Sequence, residues 1–120
     1  MNKRKTGALE ERRACEFLEQ KGYLILSTNF HEKFAELDIV ARDGEYIVFA
    51  EVKYRSNSHI QDPLDAVDMR KRRRIALASL MWLSRNGMGA DTPCRFDVLA
   101  IYPDKIKHVR NAFSLDDAAL

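Results

Sequence analysis

Three residues in the middle of the chain could together hydrolyse a phosphodiester bond. Asp38, Glu51 and Lys53 are embedded in two apolar runs separated by a few polar residues. Carboxylate oxygens are the ligands that Mg²⁺ prefers, and Mn²⁺ could substitute for it. An ion held there would polarise a phosphate and lower the pKa of water, while the lysine would steady the water or the phosphate. The residue types therefore predict metal-dependent cutting of nucleic acid.

A β-hairpin is predicted to bring the two carboxylates together. Two β-rich runs, 37–41 and 46–52, flank the dipeptide Asp43-Gly44. Asp-Gly between such runs is the strongest short-range signal for a tight turn, because glycine accepts a positive φ. If this dipeptide forms the loop, Arg42 pairs with Glu45.

The predicted register places the chemical groups on one face of the hairpin. Asp38 then lies opposite Phe49, and Glu36 lies opposite Glu51. Alternate side chains of a strand share a face, so Glu36, Asp38, Glu51 and Lys53 project together. In this register Asp38 and Glu51 are diagonal neighbours, with their Cβ atoms somewhat less than roughly 7–8 Å apart.

Basic residues near this hairpin are candidates for binding substrate. Arg55 follows the predicted catalytic strand, and Lys71 and Arg74 lie one turn apart in a basic run of the next predicted helix. For any single member of that run, a solvated helix face is the slightly favoured alternative. His31 and His59 lie in predicted loops and could touch substrate or simply be solvated.

Hydrophobic periodicity and turn residues predict a mixed α/β domain, with helices covering both faces of a central sheet. The predicted order is helix, three strands, helix and two strands, at 7–22, 23–26, 37–41, 46–52, 64–86, 96–101 and 106–109. Gly22 ends the first helix and Pro63 opens the second. Trp82 is predicted to belong to the core, since it recurs with apolar residues at helical spacing.

Length and composition fit one globular domain spanning residues 1–120. The chain is 46% hydrophobic and 32% charged, with basic residues at positions 3–5. Residues 1–6 and 114–120 are expected to be flexible tails. No secretory signal or membrane-spanning run is recognisable, so a cytoplasmic location is expected. Cys15 and Cys94 lack zinc-like spacing and are expected to be reduced and packed.

Two segments resemble the signature of the YraN family of predicted bacterial endonucleases. They are Ala35-Glu36-Leu37-Asp38-Ile39-Val40 and Val48-Phe49-Ala50-Glu51-Val52-Lys53-Tyr54-Arg55. Further matching pieces, including Asn29, Pro63, Arg95-Phe96-Asp97 and Asn111-Ala112-Phe113, extend the resemblance over residues 7–113. Leu37 stands where the proline of the PD-(D/E)xK motif would be.

The resemblance implies a restriction-endonuclease-like fold of the PD-(D/E)xK superfamily, in its Holliday-junction-resolvase-like branch. It implies that Asp38 and Glu51 bind Mg²⁺ and that Lys53 assists hydrolysis. Glu11 matches a first-helix acid that completes the metal site in that branch. An ordinary exposed glutamate in the first turn of a helix is the equal alternative for this residue.

The expected substrate is DNA, including branched or repair intermediates. Two other functions are left open: a nucleic-acid-binding module that does not cut, and a partner whose acidic face docks another protein. A homodimer is also left open, since enzymes that cut two strands often pair two sites.

Overall fold

The computed structural model describes residues 3–33, 35–55 and 68–114, and this part of the chain contains two helices and five strands. The elements are α1 (Lys3–Gln20), β1 (Leu24–Glu32), β2 (Ala35–Asp43), β3 (Tyr46–Tyr54), α2 (Met69–Arg85), β4 (Cys94–Ile101) and β5 (Ile106–Phe113). The predicted order of helix, three strands, helix and two strands is confirmed, and so is the mixed α/β fold class.

The five strands form one sheet in the order β1-β2-β3-β4-β5. Neighbouring strands are antiparallel except β3 and β4, which run parallel. A parallel pair needs a crossover connection, and α2 lies in the segment that joins these two strands. Each strand is therefore followed in the chain by its neighbour in the sheet, and a helix lies in the connection between β3 and β4.

Each face of the sheet is covered by one helix. On the α2 side, Phe49 and Phe96 pack with Ile75 and Trp82. On the α1 side, Leu18 packs with strand residues such as Val48 and Leu99. Trp82 is a core residue, as predicted, and its Nε1 donates a hydrogen bond to Ser27 Oγ (3.0 Å). Neither described helix is long and apolar enough to cross a membrane.

Several element boundaries differ from the predictions. α1 includes positions 3–6, which were predicted to be a tail. β1 continues to Glu32, so His31 lies in a strand and not in a loop. The reason is tertiary: the polar end of β1 pairs with β2, with His31 opposite Glu36. Cys15 and Cys94 are free and half-buried.

α2 begins at Met69, not near position 64 as predicted. Asp68 has an extended backbone, and its carboxylate accepts a hydrogen bond from the backbone N–H of Lys71 (2.9 Å). This is an N-cap, which satisfies a donor that the first helical turn leaves unpaired. The start predicted at Pro63 and the candidate His59 lie outside the described residues.

The β2–β3 loop is formed by Gly44 and Glu45, one residue later than predicted, and Asp43 pairs with Tyr46. Gly44 has φ +61°, which suits a type II′ turn, where glycine takes the first central position. Asp43 stays in the strand because its carboxylate accepts a hydrogen bond from Arg95 Nη1 (2.9 Å).

Candidate active site

The two candidate carboxylates, Asp38 and Glu51, lie at the point where β2 and β3 stop pairing, which we call the fork. The last pair of this ladder is Ile39 with Ala50, so Asp38 and Glu51 are the next residue on each strand. The predicted register, with Asp38 opposite Phe49, was wrong by two positions because the loop is one residue later. A shift of two leaves Asp38 and Glu51 on the same face of the hairpin, since the strand period is two. The correction brings the carboxylates closer: they are direct and not diagonal neighbours.

Asp38 is fixed by the backbone of the neighbouring strand. Its Oδ2 accepts a hydrogen bond from the N–H of Val52 (2.8 Å). β3 continues to pair with β4 as far as Tyr54, opposite Ile101, so only its β2 edge opens here. The Asp38 carboxylate thus takes over a backbone donor that the ladder no longer uses.

Glu51 is a buried carboxylate held by two lysines. Its side chain is only 8% exposed, and its Oε1 lies 3.2 Å from Lys53 Nζ and 2.7 Å from Lys71 Nζ. Lys53 comes from the same strand, whereas Lys71 reaches over from the first turn of α2. A buried charge without such partners would cost several kcal/mol, so the lysines are needed for this arrangement in the absence of another cation.

The charge of Glu51 is close enough to affect the protonation of Asp38. Burial, followed by the negative charge of Glu51, raises the pKa of Asp38 to about 7, although the Val52 N–H opposes this. Burial and then Lys71 lower the pKa of Lys53. Burial acts to lower the pKa of Lys71, but the hydrogen bonds to Glu51 and Lys53 and the charges of Glu51 and Asp38 together raise it. Two carboxylates and two ammonium groups therefore lie close together at the fork.

The Asp38–Glu51 pair fits a hard divalent cation. Mg²⁺ usually takes one or two carboxylates, completing its shell with water and substrate phosphate. Across the described residues, no three His, Cys, Asp or Glu side chains are grouped closely enough to hold an ion. Glu11 accordingly does not join the pair; its Oε2 accepts a hydrogen bond from Asn29 Nδ2 (2.7 Å). A role for Glu11 as a third ligand stays a prediction.

A pocket of about 470 Å³ opens onto Glu51 between the sheet and the start of α2. It is lined by Glu32, Ala35, Glu36, Glu51, Asp68, Arg70, Lys71, Arg74 and Ile75. Two of the predicted substrate-binding residues, Lys71 and Arg74, are thus at the pocket with Glu51. The third, Arg55, is half-buried and is not among the lining residues. His31 is exposed and pairs with Glu36 (3.5 Å).

Tyr54 is a residue of this region that the sequence reasoning missed. It ends β3 and is 44% exposed. Burial of its hydroxyl, followed by the charges of Asp38, Glu10 and Glu11, raises its pKa to about 12. The signal was available, because Tyr54 directly follows the Glu-x-Lys pattern and an exposed aromatic ring beside acids is a frequent feature of ligand sites.

A second polar cluster, also missed, is buried on the α1 side of the sheet. Asp97 is fully buried and receives hydrogen bonds from Arg95 Nε (2.9 Å) and from the backbone N–H of Asn111 (3.0 Å). His108 Nε2 lies 2.7 Å from the same carboxylate, and Lys21 Nζ lies 3.0 Å from His108 Nδ1. An aspartate within the apolar strand β4 was the sequence signal for a paired, buried charge.

This second cluster holds strands together, and both carboxylate oxygens of Asp97 are engaged in it. Arg95 also bonds to Asp43 of β2 and to the hydroxyl of Tyr23, which precedes β1. The bonds to Asp97 lower its pKa even though its burial opposes this. The cluster therefore links β2, β4, β5 and the residue before β1. The fork remains the better candidate for chemistry.

Comparison with known proteins gives one consistent result. A family model described as the uncharacterised protein family UPF0102 matches residues 10–101. A UPF0102 protein of Lachnoclostridium phytofermentans is 41% identical over 113 residues, which cover 94% of this chain and 96% of the relative. A UPF0102 protein of Geobacter sulfurreducens is 45% identical over 114 residues, covering 91% and 88% respectively. The matched region includes both strands of the fork and all of α2.

Proposed function

We propose an activity for this chain, which belongs to the UPF0102 (YraN) family, as the resemblance indicated. It is a Mg²⁺-dependent endonuclease of the PD-(D/E)xK type that hydrolyses phosphodiester bonds of DNA. The observation that carries the proposal is the pair of neighbouring carboxylates, Asp38 and Glu51, at a strand fork with two lysines on Glu51. An ion pair that served only stability would need one lysine and one acid, whereas two of each lie together here.

The proposed roles follow from position and charge. Asp38 and Glu51 would hold the metal ion, which when bound supplies charge to polarise the phosphate and activate water. Lys53, 3.2 Å from Glu51, carries a positive charge next to the same position and would stabilise negative charge on the phosphate. The Val52 N–H keeps Asp38 in place, so the carboxylate needs little reorganisation.

DNA would approach along the basic start of α2. Arg70, Lys71 and Arg74 line the pocket that opens onto Glu51, and guanidinium groups bind phosphate in a bidentate manner. Arg55, two residues beyond Lys53, is the remaining candidate for phosphate binding. A chain of 120 residues offers little surface for reading bases, so we infer recognition of DNA shape, as in branched or repair intermediates.

The direct test is cleavage of single-stranded, duplex and four-way-junction DNA in the presence of Mg²⁺ or Mn²⁺. Glu51→Gln and Lys53→Ala are each expected to lower the rate by roughly 10²–10³-fold or more, the size typical for a removed charge-stabilising group. Glu45→Gln is the matched control, because Glu45 is exposed at the far end of the same hairpin. Full activity in Glu51→Gln would exclude this site.

A non-cutting nucleic-acid-binding module is the second candidate. It is favoured by the pairing of Lys71 with Glu51 at 2.7 Å, which neutralises the buried carboxylate without metal. This alternative predicts salt-sensitive DNA binding that is the same in the natural protein and in Glu51→Gln, with no metal-dependent hydrolysis in either.

A further inference from the structure

Two ammonium groups share a single oxygen of Glu51. Lys53 Nζ and Lys71 Nζ both contact Oε1, although like charges so close together repel each other. The Glu51 carboxylate is almost fully buried and lies near Asp38. The two ammonium groups therefore offset the combined negative charge of the two carboxylates. The shared oxygen is one that a metal ion at the fork would need.

The two lysines differ in how readily they could leave. Lys53 is on β3, two residues from Glu51, and its side chain is 18% exposed. Lys71 is on a different element, lines the pocket with Arg74, and is 34% exposed. Its long side chain can therefore turn towards the pocket opening, where a phosphate would be bound.

We propose that Lys71 stands in for the metal ion in the free protein and moves from Glu51 to a phosphate when DNA binds. This inference rests on the proposed function and adds a regulation of its metal site. Because one side chain is exchanged between the two ligands, DNA and the metal ion should each strengthen the binding of the other. Such coupling is reciprocal and typically amounts to roughly 5- to 150-fold in affinity.

The first experiment measures Mn²⁺ binding to the DNA-free protein by the loss of the free-ion electron paramagnetic resonance signal. Lys71→Met is expected to bind Mn²⁺ roughly 5- to 150-fold more tightly than the natural protein. Arg74→Met is the matched control: it removes a positive charge from the same face of α2 without touching Glu51. Lys71→Gln repeats the test should Lys71→Met fail to fold by circular dichroism.

The second experiment repeats the titration with a four-way junction in a Lys53→Ala background, in which cleavage is expected to be slower by roughly 10²–10³-fold or more. Adding DNA should tighten Mn²⁺ binding, and adding Lys71→Met should abolish that effect. If Mn²⁺ binds but Lys71→Met matches Arg74→Met, the inference is wrong and the proposed metal site survives. If Mn²⁺ binding is absent, or is unaffected by Glu51→Gln, the proposed function fails as well.

Discussion

Asp38 is pulled in two directions by its surroundings. Burial and the charge of Glu51 raise its pKa to about 7, while the N–H of Val52 favours the ionised form. A carboxyl whose pKa is higher in the folded protein than in the unfolded chain binds more protons when folded. It therefore makes stability fall as the pH rises from the unfolded pKa, near 4, to about 7.

Asp38→Asn should remove this pH dependence. Asparagine keeps an acceptor for Val52 and can donate to Glu51, so no buried donor is orphaned. We expect the two proteins to be of similar stability near pH 4, and the variant to be more stable by about 2–4 kcal/mol at pH 8. Urea unfolding at several pH values measures the difference. A difference that stays constant with pH would show that Asp38 does not titrate in this range.

At the scale of elements, the β2–β3 turn decides which residues meet at the fork. Gly44 has φ +61°, a region that other residues adopt only with strain, and a Cβ at this position would meet no atom within 4 Å. Any effect of substitution should therefore come from the backbone alone. The turn sets the register that places Asp38 and Glu51 on adjacent positions.

Gly44→Ala should cost about 1–2 kcal/mol in the free energy of unfolding, because alanine is strained in the left-handed region. Glu45→Ala in the same loop, where φ is ordinary, is expected to change it by less than about 0.5 kcal/mol. Urea titrations compare the two. Equal effects would mean that the turn conformation contributes nothing specific.

Local patterns predicted the order of elements because they depend on near neighbours. Alternation, the Asp-Gly signal and Gly22 all act within a few residues, and the predicted strands and helices exist at those places. The loop was misplaced by one residue because glycine serves either central position of a two-residue turn. The interaction that decides the position of the loop is distant in sequence: Asp43 is kept in the strand by Arg95, 52 residues away.

The candidate site was predictable in part for the same reason. Asp38, Glu51 and Lys53 could be placed together by counting along one hairpin. The contact of Lys71 with Glu51 depends on how α2 packs, which no local pattern encodes. His108 gave no signal because its partner, Asp97, is reached only through the pairing of β4 with β5.

At the scale of the whole molecule, charge is distributed unevenly although the formal net charge is only +2. The start of α2 is rich in arginine and lysine, and Glu51 lines the adjacent pocket. The proposed binding of nucleic acid should therefore depend on the basic start of α2 more than on net charge. Each phosphate contact contributes a slope of roughly −0.9 to the dependence of log affinity on log salt.

Replacing both Arg70 and Arg74 by glutamine should lower the magnitude of that slope by about 2, because two phosphate contacts are lost. The matched control is Lys105→Gln with Lys107→Gln, which removes the same charge near the β4–β5 turn. Duplex binding measured by fluorescence anisotropy from 50 to 200 mM salt distinguishes them. Equal slopes for both double variants would show that the α2 surface has no special role.

The buried cluster around Asp97 has a consequence for the order of events during folding. The β1–β2–β3 meander can form from local contacts, but β4 brings Asp97 and Arg95 into the interior, where their charges need partners. Arg95 pairs with Asp97 and with Asp43 of β2, but two further partners of Asp97, the His108 side chain and the Asn111 N–H, arrive only with β5. On a ribosome β5 emerges after the other elements of the described residues, so we expect β4 to reach its final packing only after β5 has emerged. Packing of β4, the most buried of the five described strands, would then depend on β5, which makes it a late and cooperative step in folding.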